Sequence, residues 1–101
     1  MKQVKVMLDE LKKFIDKKNS QGVEVTTIHA YVCDYKAEND SEVDVYYVNV
    51  KACYSFGEQE TFSDGLTFEK LEECQSHISY ISNELIKKGY GELLLVDKEV
   101  L

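Results

Sequence analysis

Residues 26–54, TTIHAYVCDYKAENDSEVDVYYVNVKACY, decide the fold. Apolar and polar side chains alternate with a period of two on either side of ENDSE (38–42), and β-branched and aromatic residues dominate both arms. That pattern is a β-hairpin. A turn centred near Asp40 sets Val32 opposite Val48 and Ala30 opposite Val50, so Ile28, Ala30, Val32, Tyr46, Val48, Val50 and Ala52 share one inner face. A slip of one residue would set apolar side chains against polar ones, so the pattern favours this register alone. The other face carries His29, Tyr31, Cys33, Tyr35, Val45, Tyr47, Asn49, Lys51 and Cys53. It is too polar for a core and too aromatic for ordinary surface.

Outward from the hairpin, the N-terminal segment repeats Val4, Met7, Leu8, Leu11, Phe14 and Ile15 at steps of three and four, the stripe of an amphipathic helix. Lysines 12, 13, 17 and 18 complement the dipole of its last turns, and Gly22 in NSQG (19–22) supplies the stop. After the hairpin, YSFGEQETF (54–62) is expected to add a short third strand turning at Gly57 and Glu58. A second helix is predicted from about Phe68 to Lys88. Thr67 is its expected N-cap, Leu66 staples onto Leu71, and Phe68, Leu71, Cys74, Ile78, Ile81 and Leu85 form its apolar stripe. Gly89 stands at the position of a C-cap glycine, and ELLLVD (92–97) has the length and character of a covered strand.

The expected class is therefore α+β: a mainly antiparallel sheet of three to four strands with two helices packed on one face, in the order α-β-β-(β)-α-β. With 101 residues, 44% of them hydrophobic, the chain has the size of one domain spanning 1–101 and enough apolar content for one core. The N-terminal stretch alternates charge with apolar residues, unlike a signal peptide, and no apolar run reaches membrane-spanning length. A soluble, cytoplasmic protein without membrane contact is the expectation. Three widely spaced cysteines, Cys33, Cys53 and Cys74, match no disulfide framework and fit reduced thiols.

All twelve basic residues are lysine, against 19 acids, for a formal net charge of -7. Guanidinium is the side chain that best grips phosphate and reads guanine, and an acidic chain is repelled by nucleic acid, so direct nucleic-acid binding is not expected. The charge is polarised. Residues 1–20 carry a net +3, residues 21–66 a net -7 and the remainder -3.

Candidates for chemistry are sparse. Cys74 and His77 are separated by two residues on the second helix, while His29, Cys33 and Cys53 share the outer sheet face. A tetrahedral zinc site would need these groups to converge across the core, so no metal or other cofactor is expected; Cys74 reads as a core residue and His77 as a flank of the stripe. His29 and Cys33 are about 13 Å apart along a strand, too far for a nucleophile–base pair. The acids Glu38, Asp40, Glu42 and Asp44 crowd the hairpin turn, followed by Glu58, Glu60 and Asp64. A solvated hairpin tip does not raise a carboxylate pKa as acid catalysis requires, and the spacing misses a calcium loop.

The expectation is a non-enzymatic protein-binding module. Tyr31, Tyr35 and Tyr47 would anchor the contact, His29 and Asn49 would add directional hydrogen bonds, and the acids of 38–44 (Glu38, Asp40, Glu42 and Asp44) and of 58–64 (Glu58, Glu60 and Asp64) would steer it to a basic partner protein. In small size, strong acidity and lack of a catalytic motif, the chain resembles phage-encoded inhibitors of bacterial defence systems, including anti-CRISPR proteins. The resemblance is one of general character and aligns no motif. It implies that the partner is a nucleic-acid-binding host protein. Alternatives from other classes are a homodimeric structural protein, a small-molecule module with a pocket between the second helix and the sheet or within a dimer, and a thiol enzyme using Cys53 or His29.

Overall fold

The computed structural model describes residues 1–36 and 45–100. Helix α1 spans Lys2–Ser20 and buries Val4, Met7, Leu8, Leu11 and Ile15. Phe14 stays at the margin of that stripe, 36% exposed, with its ring edge-on to Phe62 at 5.6 Å. Gly22 then takes a positive φ of 78°, which lets the chain turn out of the helix without a side-chain clash. Strand β1 spans Val25–Tyr35 and β2 spans Val45–Tyr54.

Their antiparallel register is the one the alternation specifies, with Val32 opposite Val48 and Ala30 opposite Val50. Ile28, Ala30, Val32, Val48, Val50 and Ala52 are all fully buried, and Tyr46 is half-buried against them. The third strand forms as well: β3 spans Gln59–Ser63 and pairs antiparallel with β2 after a turn at Gly57, whose φ is 83°.

Helix α2 spans Leu71–Lys87, starting three residues later than the sequence predicts. Phe68 fits the helical stripe by spacing, but its backbone is committed elsewhere. Its N–H and C=O both bond to Tyr46, at 2.8 and 2.7 Å, forming an isolated antiparallel bridge. Thr67 is accordingly not the cap; Lys70 occupies that position in extended conformation, with no side-chain cap bond. Gly89 follows the helix with φ 94°, as expected. A single 3₁₀ turn, Gly91–Leu93, leads into β4, Leu94–Val100.

The placement of β4 corrects the expected sheet. The order is β3-β2-β1-β4, and β4 runs parallel to β1, so the sheet is mixed and not mainly antiparallel. The cause is the connection. β3 lies at one edge, and the chain returns through α2 to the opposite edge, where the strand enters in the direction of β1, as strand–helix–strand crossovers do. Buried residues of α1 and α2 join the inner sheet face in one cluster. Cys74, Ile78, Ile81 and Leu85 of α2 are all 0% exposed within it.

Among the described residues, no helix is long and apolar enough to cross a membrane.

Candidate functional site

Alternation along β1 and β2 leaves His29, Tyr31, Cys33, Tyr47, Asn49, Lys51 and Cys53 half-buried on the outer face, with Tyr35 59% exposed beyond them. β1 and β2 are the central strands, so this surface lies in the middle of the sheet. The register sets Tyr31 opposite Asn49 and Cys33 opposite Tyr47. The two tyrosines are therefore diagonal neighbours, within reach of one flat partner surface. The sequence-predicted residues His29, Tyr31, Tyr35, Tyr47 and Asn49 do share one face. The acids Glu38, Asp40, Glu42 and Asp44 lie outside the described residues.

The outer face has a polar lattice of its own. His29 Nε2–H donates to Asp97 Oδ2 at 2.5 Å, so the edge strand β4 fixes the imidazole. The His29 ring lies 4.9 Å from that of Tyr31, and Lys51 Nζ sits 5.8 Å from the Tyr31 ring centre. Tyr31 is thus held by a ring and a cation before any partner arrives, which lowers the entropy lost on binding. Asp97 was absent from the sequence reading because the parallel pairing that brings it beside His29 has no signature in the alternation.

Burial pushes the Cys33 thiol above its ordinary value, opposed by a hydrogen bond with Tyr47. The Tyr47 hydroxyl is raised in turn, first by the charge of Cys33 and then by burial. A raised thiol is protonated at neutral pH and is a poor nucleophile. His29 Nε2 is occupied by Asp97, and the register places Cys53 diagonally across from His29. Among the described residues, no three His, Cys, Asp or Glu side chains converge as a metal site.

On the opposite side of the sheet, His77 is buried at 5% exposure and belongs to the core, where the sequence had placed it at the flank of the stripe. Its Nε2–H donates to Asp64 Oδ2 at 2.6 Å, and Asp64 Oδ1 accepts the Leu66 N–H at 2.9 Å. The Asp64 side chain is 0% exposed, so Asp64 leaves the acidic surface to which the sequence assigned it. Phe68 lies 4.9 Å from the His77 ring. This clasp holds the segment that pairs with Tyr46, the neighbour of Tyr47.

Cys74 is fully buried, and burial first, then the charges of Cys33 and Asp64, pushes its thiol up to about 11 from 9.0. Below pH 9 both folded and unfolded chains keep this proton. Between pH 9 and 11 only the unfolded chain loses it, so stability falls as pH rises. About 1 kcal/mol is expected to be lost between pH 8 and pH 10 through this thiol alone. Urea midpoints across that range should show the slope, and Cys74→Ala should flatten it; an equal slope in the variant would assign the loss to other groups.

A scan against protein-family models, a search of curated proteins and a search of solved structures each find no match to the chain.

Proposed function

We propose that the protein binds another protein through the outer face of its sheet. The observation that carries this reading is the half-exposed pair Tyr31 and Tyr47 at the centre of a face that no described residue buries. Tyrosine combines large contact area, few rotatable bonds and a polar tip, and central aromatics of this kind dominate interface energies. Asn49 and the Lys51 ammonium stand beside them to give orientation, and Tyr35 extends the aromatic surface toward the hairpin end.

The net charge of -7 favours a basic partner surface. The narrower form of the reading, occupation of the nucleic-acid-binding surface of a host defence protein, is supported by small size and acidity together. Glu38, Asp40, Glu42 and Asp44 would supply the steering charge in that case. No catalytic step is assigned to any residue.

The test is affinity capture from bacterial lysate with wild type, the Tyr31→Ala, Tyr47→Ala double variant, and Phe56→Ala, which removes a ring 78% exposed at the β2–β3 turn. A specific partner is expected on wild type and Phe56→Ala. Its affinity for the folded double variant should be at least about 30-fold weaker, as for loss of central anchors. A partner held equally by the double variant, or no specific partner for wild type, sinks the reading.

A further inference from the structure

The carboxylates with mapped partners divide by what answers them. Asp16, Glu58, Glu84 and Asp9 each lie within ion-pair distance of a lysine, respectively Lys12, Lys18, Lys87 and Lys88. Asp64 is sealed in the core against His77. Asp97 belongs to neither group. Its side chain is 41% exposed, His29 bonds its Oδ2 at 2.5 Å, and among the described residues nothing bonds its Oδ1 and no lysine reaches it. The register sets Asp97 beside Tyr31, and Leu95, on the same face and 52% exposed, beside His29. Among the described strand residues that the register assigns to the outer face, Asp97 is the one carboxylate.

We propose that Asp97 is the arginine-recognition point of the outer face: Oδ1 and the remaining lone pair of Oδ2 receive the guanidinium of a partner protein's arginine, whose stem lies along Leu95 and Tyr31. The proposal rests on the reading that this face meets a protein, and it names the side chain that the protein presents. Three features select that side chain. The charge of Asp97 is answered by no lysine on a chain of net charge -7, so a cation is its complement. His29 fixes the carboxylate in advance, so less side-chain freedom is lost on contact. The carboxylate is half-covered between apolar and aromatic neighbours, where a charge pair is screened less than on open surface.

Arginine fits these surroundings better than lysine. Its planar fork spans both carboxylate oxygens, its head is the more weakly hydrated, and its stem can be buried against Leu95 and Tyr31. The face's own cation does not fill the place. Lys51 stands on β2, across β1 from Asp97, with its Nζ 5.8 Å from the Tyr31 ring centre.

Amide NMR of the full, isotope-labelled chain tests the assignment, by titration at low salt with N-acetyl-arginine amide, N-acetyl-lysine amide and the neutral N-acetyl-citrulline amide. The arginine probe should bind with a Kd on the order of 10 mM, at least about threefold more tightly than the lysine probe, and the citrulline probe should give no saturable shift. The shifts should centre on residues 29, 31 and 95–97. Salt at about 0.5 M should weaken the binding at least about threefold. Asp97→Asn keeps an oxygen to accept the His29 N–H, so the spectrum should persist while arginine binding falls at least about tenfold. An Asp97 that serves only to hold His29 would leave the asparagine variant as competent as wild type, and that result overturns the proposal. So do equal affinity for the lysine probe and shifts spread evenly over the other acids. Arginine binding at Asp97 beside an empty affinity capture would remove the partner reading and leave the arginine site. A captured partner held equally by wild type and Asp97→Asn would overturn the arginine assignment and leave the partner reading.

Discussion

Asp64→Ala is expected to lower the unfolding free energy by about 3 kcal/mol, a fall of about 15 °C in melting temperature for a chain of this length. The carboxylate is completely buried and accepts two donors, His77 Nε2–H and the Leu66 N–H. Alanine leaves both without a partner, and His77 has almost no access to water. Asp64→Asn keeps an acceptor oxygen and should lose about half as much. His77→Ala strands the carboxylate instead, so the double variant should cost clearly less than the two single changes added. The exposed pair Lys12–Asp16, at 2.7 Å, is the control, and Asp16→Ala should stay within about 0.5 kcal/mol of wild type. Thermal and urea unfolding of the five variants settle the matter; an Asp64→Ala as mild as Asp16→Ala would remove the clasp from the account of the fold. The consequence reaches the outer face, because the clasp positions Phe68, Phe68 pairs with Tyr46, and Tyr46 sets the strand on which Tyr47 stands.

The hairpin was legible because its information is local and redundant. Seven inner-face residues repeat with period two on both arms, and only one register buries them together. Both helices were legible for the same reason at period 3.6, and Gly22 and Gly89 mark their ends. Where the reading fell short, the missing information was a contact between segments distant in sequence. Asp64 stands in Ser-Asp-Gly, which reads as a surface turn, and nothing in that triplet signals a histidine 13 residues ahead on a helix. Phe68 fits the helical spacing, yet its backbone is claimed by Tyr46, 22 residues earlier. The apolar run 92–97 announces a covered strand, but apolar character names neither its neighbour nor its direction. Only the crossover through α2 sets it parallel to β1, and with it the His29–Asp97 contact. The outer-face tyrosines were found by asking which side of the hairpin did not belong to the core, a question that alternation can answer.

Adjacent substitutions on β2 put that division of faces to its strongest test. Val48 is 0% exposed and faces Val32, whereas Asn49, one residue on, faces Tyr31 from the half-exposed outer side. Val48→Asp forces a carboxylate into the centre of the core with no partner and is expected to cost more than about 4 kcal/mol, enough to abolish folding in a domain of ordinary stability. Asn49→Asp has solvent within reach and lies opposite a tyrosine, so it should change stability by no more than about 0.5 kcal/mol. Circular dichroism and urea unfolding of both proteins would reveal an inverted register as the opposite ranking. The pair also separates two ways of losing a partner. Val48→Asp should abolish capture together with the fold, while Asn49→Asp should keep the fold and weaken capture alone, because it replaces the amide donor beside Tyr31 and Tyr47 with a carboxylate that the centre of the contact would have to desolvate. If Asn49→Asp is both folded and fully competent to bind, the contact does not pass through the centre of the sheet, and the aromatic pair is structural.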